Sequence, residues 1–212
     1  MRAILTQEQL AQHQSYLSTM DVIWDPLYDF AAYPSAGTLQ ISFFSTPIGQ
    51  GTTTAPGATG AKTEADTNMD SAGQLGKGNN FYVTGIELPF YPSNIPGAGG
   101  LTITDVGAFV NTMYNVGKSG YVTLKVGSGR QYLQQGPLMN FPPSTRLAVA
   151  TSMAAAGNTA VATNVGEVNY AVWSGEVFTI VPLLLDANQV FPFTANWPAL
   201  VAAAGPAAHR LG

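Results

Sequence analysis

The stretch Phe81-Tyr-Val-Thr-Gly-Ile-Glu-Leu-Pro-Phe90 decides the fold class, because apolar side chains recur at every second position along it. This period is typical of a β-strand with one buried face. The apolar positions are odd before Gly85 and even after it. If both sets face one core, an extra residue must be inserted between them, since a regular strand alternates faces strictly. We therefore predict a β-bulge in or beside Gly85.

Other segments on both sides of this strand also have the character of strands. Residues 121–126 lead through Gly127-Ser-Gly129 into residues 130–133, which predicts a β-hairpin. Residues 166–173 and 176–184 predict a second hairpin across Ser174-Gly175. Further predicted strands are 39–43, 146–153 and 189–197. Many short strands separated by Gly and Pro turns indicate an all-β sandwich or jelly roll.

One segment of this β-rich region has helical spacing instead. Its apolar side chains recur at intervals of three and four residues, which predicts a helix over residues 105–116. Thr104 or Asp105 would cap this helix, and Gly117 would end it. The apolar positions are Val106, Phe109, Val110, Met113 and Tyr114.

The first 37 residues differ from the rest of the chain. Thr6 and Gln9 form a capping box that predicts a short helix, and Asp25-Pro26 ends it. We divide the chain into an N-terminal arm, residues 1–37, and a body, residues 38–212, which contains all the predicted strands and should fold without the arm. The arm either packs on its own body or binds a neighbouring subunit. In the second case its aromatic anchors would be Trp24, Tyr28 and Phe30.

The composition limits the classes of function. The chain has 212 residues, enough for one domain with a real core, and 46% of them are hydrophobic. Only 9% of the residues are charged, against about 25% in an average domain. A net charge of −4 argues against a direct nucleic-acid contact. Sparse charge suits a surface that is mostly covered by neighbouring subunits.

Each common catalytic or metal-binding pattern fails at a specific residue type. The chain has no cysteine and only two histidines, His13 and His209, too few for a conventional transition-metal site. Asp66-Thr-Asn-Met-Asp70 begins like a calcium loop, but its sixth position is Ser71 instead of glycine, which favours an ordinary turn. Two acid pairs are conceivable for glycoside hydrolysis, although nothing marks a cleft. These pairs are Asp25 with Asp29 and Glu167 with Glu176. We therefore predict no catalytic residue, no cofactor and no metal site.

Four stretches resemble jelly-roll virion proteins of bacteriophages, in the group of tailless icosahedral phages. They are Thr67-Asn-Met-Asp-Ser-Ala-Gly-Gln-Leu75, Gly117-Lys-Ser-Gly-Tyr-Val-Thr-Leu-Lys-Val-Gly127, Gly136-Pro-Leu-Met-Asn-Phe-Pro-Pro143 and Pro182-Leu-Leu-Leu-Asp-Ala-Asn-Gln-Val-Phe191. The resemblance covers residues 60–197 and implies a jelly roll. Since one roll has about eight strands, the predicted strands are enough for a single roll and too few for a double one. It also implies a capsid subunit in the virion, whose partners are copies of itself and other virion proteins.

The same family pattern implies one more strand after Trp197. The final residues His209-Arg-Leu-Gly212 would begin this strand, and the chain would then be a fragment of a longer protein.

A carbohydrate-binding β-sandwich module, lectin-like or receptor-binding, is the alternative function. Jelly rolls carry both capsid and lectin domains, so the fold alone does not choose between them. A glycan-binding module should expose an aromatic platform with acids and amides nearby. The low charge, the aromatic arm and the long Gly/Thr loop favour assembly.

Overall fold

The computed structural model describes residues 25–55, 58–75, 80–91, 103–126, 132–141, 145–153, 166–174, 178–187, 189–203 and 208–212. Within these ranges every strand pairs in the antiparallel direction, and a single α-helix is present. The described part of the chain is therefore an all-β protein with one helix, as predicted.

In chain order, the strands and the helix are β1 (Ala31–Tyr33), β2 (Gln40–Phe43), β3 (Phe81–Ile86), β4 (Phe90–Tyr91), α1 (Ile103–Ser119), β5 (Tyr121–Lys125), β6 (Tyr132–Pro137), β7 (Thr145–Met153), β8 (Gly166–Ser174), β9 (Phe178–Leu185), β10 (Phe193–Asn196) and β11 (His209–Leu211). A short 3-10 helix, Leu138–Asn140, lies between β6 and β7.

The strands form four sheets. Their orders are β2-β10-β5-β6, β1-β11-β4, β3-β9 and β7-β8. Three of the pairings are nested along the chain, because β1 pairs with β11, β2 with β10 and β3 with β9. The first strands therefore lie beside the last ones.

The core lies on one face of the four-stranded sheet. Val122 and Leu124 on β5 are buried together with Phe193 and Ala195 on β10, because alternate residues of a strand face the same side. The ring of Tyr33 on β1 packs edge-on against Trp197, with ring centroids 5.1 Å apart. This contact joins the three-stranded sheet to the end of the four-stranded sheet.

Several predicted elements are confirmed. The helix forms and is a few residues longer at each end than predicted. β5 and β6 form the first predicted hairpin. The segment His209–Leu211 is a strand. Of the predicted apolar positions whose side chains the structure describes, Met113 is half-buried, whereas Tyr114 is 54% exposed instead of facing the core.

The predicted irregularity at Gly85 is confirmed, but its geometry differs from the prediction. The strand partner changes from Leu183 opposite Val83 to Thr179 opposite Gly85. Between these two pairs, β3 has one residue, Thr84, and β9 has three, residues 180–182. The extra residues therefore lie on β9. Val83 and Ile86 nevertheless both contact the core, which is what the change of phase required.

Two predictions about the strands are wrong. β8 pairs with β7 and β9 pairs with β3, instead of β8 and β9 pairing with each other. The Ser-Gly turn signal locates a chain reversal, but it does not specify the partners of the two strands. In addition, β1 precedes residue 38, so the body after the arm does not contain all the strands.

Candidate functional site

The predicted interface residues lie where the chain enters β1. Trp24 is outside the described residues. Tyr28 and Phe30 are half-buried, and their ring centroids lie 6.4 Å apart. The Phe30 ring also lies 6.1 Å from that of Tyr91 on β4. Tyr91 is 48% exposed, and it was not predicted from the sequence.

Arg210 completes this cluster from the central strand of the three-stranded sheet. It pairs with Ala32 on one side and with Tyr91 on the other, so these three residues share the outer face of that sheet. The guanidinium carbon of Arg210 lies 3.7 Å from the centre of the Phe30 ring, a cation–π contact. Arg210 also donates a hydrogen bond to the carbonyl of Ala65. We call Tyr28, Phe30, Tyr91 and Arg210 the aromatic patch.

Backbone and hydroxyl hydrogen bonds hold the patch against the loop between β2 and β3. The amide of Tyr28 donates to Oδ1 of Asn68 over 3.0 Å, and its hydroxyl donates to the carbonyl of Glu64 over 2.6 Å. The amide of Phe30 donates to the carbonyl of Asp66 over 2.7 Å. The described end of the arm is therefore bound to its own body.

Asp29, between the two aromatic residues, is buried in an ion pair with Lys62. The ammonium nitrogen of Lys62 lies 2.6 Å from Oδ1 of Asp29, while Oδ2 accepts the backbone amide of Phe44 over 2.6 Å. Burial raises the pKa of Asp29 above its ordinary value of 3.8, although hydrogen bonds and the charge of Lys62 oppose the shift. The Asp29 carboxylate therefore helps to attach the segment before β1 to Phe44 and Lys62 of the body.

Asp66 organises the long loop itself. Its carboxylate accepts the hydroxyl of Thr53 over 2.6 Å, the amide and hydroxyl of Thr54 over 2.7 and 2.8 Å, and the amide of Thr63 over 3.1 Å. Burial alone would raise the pKa of Asp66, but these hydrogen bonds outweigh it and hold the pKa well below its ordinary range. The loop therefore closes around one ionised side chain.

These contacts decide between the predictions for the acidic residues. Asp66 is fully buried and its oxygens already accept hydrogen bonds, whereas Asp70 is exposed, so the segment is a turn as predicted. Asp25 is exposed and Asp29 is enclosed by Lys62, so this candidate pair does not share a cleft. Glu176 and the side chain of Glu167 lie outside the described residues.

His209, the histidine of β11, is part of the core and not of a site on the surface. It is 1% exposed and its ring stacks on that of Phe90, with centroids 5.4 Å apart. Burial lowers its pKa below the ordinary value of 6.5, against an opposing hydrogen bond with the backbone of Ala203. His13 lies outside the described residues.

Across the described ranges, no three or more acidic or histidine side chains are grouped so that they could hold a metal ion. The same part of the chain contains no helix with the length and apolar character needed to cross a membrane. Comparisons with protein-family models, with curated proteins and with solved structures found no match for this chain.

Proposed function

We propose that this chain is a structural virion protein, a phage capsid subunit that assembles in many copies into an icosahedral shell. The aromatic patch carries this proposal. Tyrosine and arginine are among the residue types that dominate the energy of protein interfaces, and in this protein they lie together on the outer face of a sheet. The arm, which carries Trp24, joins the body beside the same patch. Its partners would be copies of the same chain and other virion proteins.

The order of strand pairing supports a single jelly roll. A jelly roll is an antiparallel β-sandwich whose strands come from distant parts of the chain. The nested pairs β1–β11, β2–β10 and β3–β9 are the arrangement that results when one long antiparallel hairpin is rolled up. β5–β6 and β7–β8 are pairs of consecutive strands that lie, in chain order, inside the nested pairs. A single rolled hairpin has one such innermost pair, so one of the two is an addition to it.

The exposed apolar side chains agree with extensive contacts between subunits. Leu200 is 64% exposed, and Leu39 and Met139 are 55% and 54% exposed. Leu39 and Met139 belong to one end of the molecule. The carbonyl of Leu39 accepts the amide of Trp197, and the indole of Trp197 in turn donates to helix α1 at Val116. Met139 lies against the same end of the helix, at Gly117. In a chain with so few charges, such side chains favour association.

The alternative carbohydrate-binding function fits the aromatic patch less well. A sugar ring stacks on a free aromatic face, and the guanidinium of Arg210 already covers one face of Phe30. Arg210 is itself held by the carbonyl of Ala65. The patch is therefore better suited to a protein surface that packs against its exposed side chains, above all Tyr91.

Two tyrosines of similar exposure give a matched test. Tyr91 in the patch is 48% exposed and Tyr114 on α1 is 54% exposed. Size-exclusion chromatography with light scattering should show assemblies for the wild type and for Tyr114→Ser. Tyr91→Ser should raise the concentration needed for assembly by about 30-fold, the equivalent of an interface residue worth about 2 kcal/mol. Equal assembly of the two variants would show that the patch is not the interface, and a monomeric wild type would contradict the proposal itself.

A further inference from the structure

The outer face of the four-stranded sheet contains a polar depression of about 330 Å³. It lies on the opposite side of β2, β10 and β5 from the core. Ligand sites generally occupy about 300–1,000 Å³, so this volume is at the lower end of that range. The lining residues are Gln40, Tyr121, Thr123, Lys125, Pro192, Thr194 and Asn196.

Strand register sets the shape of this depression. Asn196 lies opposite both Gln40 and Tyr121, so these three side chains form one row across the sheet. Thr194 lies opposite Thr123 in the next row. Thr123 is only 5% exposed although it faces away from the core. It therefore forms the floor of the depression, and Tyr121, which is 41% exposed, forms part of the rim.

The polar side chains in the depression are partly fixed before any ligand binds. The amide nitrogen of Asn196 donates to the hydroxyl oxygen of Thr194 over 3.0 Å and contacts the Thr194 carbonyl at 3.5 Å. These contacts orient the Asn196 carboxamide on the sheet. A side chain that is already ordered loses less conformational entropy on binding, which favours affinity.

We propose that this depression binds a neutral saccharide. Hydroxyl and carboxamide groups can both donate and accept hydrogen bonds, as the hydroxyls of a sugar require. The Tyr121 ring at the rim offers an apolar surface beside a polar tip, which suits the apolar face of a sugar ring. The lining residues include no carboxylate, so nothing in the depression would select a cationic ligand. Their one charged member is Lys125, whose ammonium group can donate hydrogen bonds to the hydroxyl oxygens of a sugar.

The same residues argue against a protein partner at this place. The centres of protein interfaces are enriched in aromatic residues, methionine and arginine. Four of the seven residues that line the depression are instead threonine, asparagine or glutamine, and they are joined by one lysine, one proline and a single aromatic ring, that of Tyr121 at the rim. The saccharide site is thus separate from the aromatic patch, and it does not depend on the assembly proposed above.

Saturation-transfer difference NMR on the full-length protein tests this site. The probes are glucose, galactose, mannose, N-acetylglucosamine, lactose and maltose, each titrated at millimolar concentration. At least one of them should bind the wild type. Thr123→Val and Tyr121→Ala should each weaken its binding by about tenfold, through the loss of a hydrogen bond and of an apolar contact respectively.

Two variants serve as controls, one at a position near the depression and one at an exposed tyrosine elsewhere. Ser42→Ala changes an exposed residue on the same face of β2, outside the depression, and Tyr114→Ala removes an exposed tyrosine from α1. Both should bind the sugar as the wild type does. Thermal unfolding shows whether each variant is folded. If Thr123→Val disturbs folding, Tyr121→Ala still tests the site, because Tyr121 is exposed at the rim. Failure of all six sugars to bind, or binding that both site variants retain, would overturn the proposal.

Discussion

The ammonium nitrogen of Lys62 and Oδ1 of Asp29 lie 2.6 Å apart, in a contact that joins residues 33 positions apart in the chain. The Asp29 side chain is completely enclosed, and that of Lys62 is 8% exposed. Asp29 lies between Tyr28 and Phe30, so the ion pair connects the aromatic patch to the long loop after β2. The position of the proposed interface therefore depends on a contact between the arm and the body.

Removing the positive charge of Lys62 should lower the free energy of unfolding. Lys62→Met leaves the Asp29 carboxylate buried without its partner, and we expect a loss of about 3–5 kcal/mol in the free energy of unfolding at pH 7. The double variant Lys62→Met/Asp29→Asn removes both charges and should recover part of this loss. Urea unfolding of the single and double variants measures both effects. A loss below about 1 kcal/mol for Lys62→Met would show that the pair contributes little.

The stability of the Thr53–Asp66 loop should depend on pH in the acid range. Because the folded-state pKa of Asp66 lies below its ordinary value of 3.8, its contribution is fully present above that value and is lost as the pH falls below it. Asp66→Asn should cost about 2–3 kcal/mol at pH 7 and less at pH 2–3. Asp70→Asn, at an exposed position four residues later, is the control. Equal effects of the two substitutions on thermal unfolding at pH 7 would contradict this account.

Protonation of His209 should weaken the three-stranded sheet. Its folded-state pKa is lowered below 6.5, so the folded protein binds fewer protons than the unfolded chain. This contribution to stability is complete above pH 6.5 and is lost as the pH falls through the lowered pKa. We expect the melting temperature of the wild type to fall more steeply below pH 6.5 than that of His209→Gln. Parallel pH profiles for the two proteins would rule out His209 as the cause.

Two truncations should show which part of the arm the fold requires. Deleting residues 2–24 leaves every described core residue in place, because the first of them is Tyr33. This truncated chain should unfold cooperatively. Deleting residues 2–36 also removes Asp29, β1 and the fully buried Tyr33, and it should abolish cooperative unfolding. Circular dichroism melts of both truncations check this prediction, and cooperative unfolding of the shorter chain would show that the body folds without β1.

Local sequence patterns were sufficient to predict an element of the fold where that element forms from neighbouring residues. Helical spacing located α1, and alternation with a glycine turn located the β5–β6 hairpin. The change of phase at Gly85 located the register shift, although it could not show which strand carries the extra residues. The helix and the hairpin form from residues of one segment or of two consecutive strands, whereas the register shift at Gly85 arises from pairing with the distant strand β9.

The contacts that position the aromatic patch could not be predicted, because they join distant parts of the chain. Arg210 reaches Phe30 and Ala65 across more than 140 residues. Phe44 adopts a φ of 59°, a region that aromatic residues rarely occupy. Its amide is bound by Asp29, and its ring packs 5.6 Å from that of Phe191. The sequence contains no local signal for this conformation, which depends on both distant partners.

Sedimentation velocity of the purified full-length chain, measured over a range of concentrations and followed by negative-stain electron microscopy, tests the central claim most directly. The account predicts species many times heavier than the 22.2 kDa chain, with ring-like or shell-like particles on the grid. A single species of monomer mass at every concentration, with no particles, would contradict it.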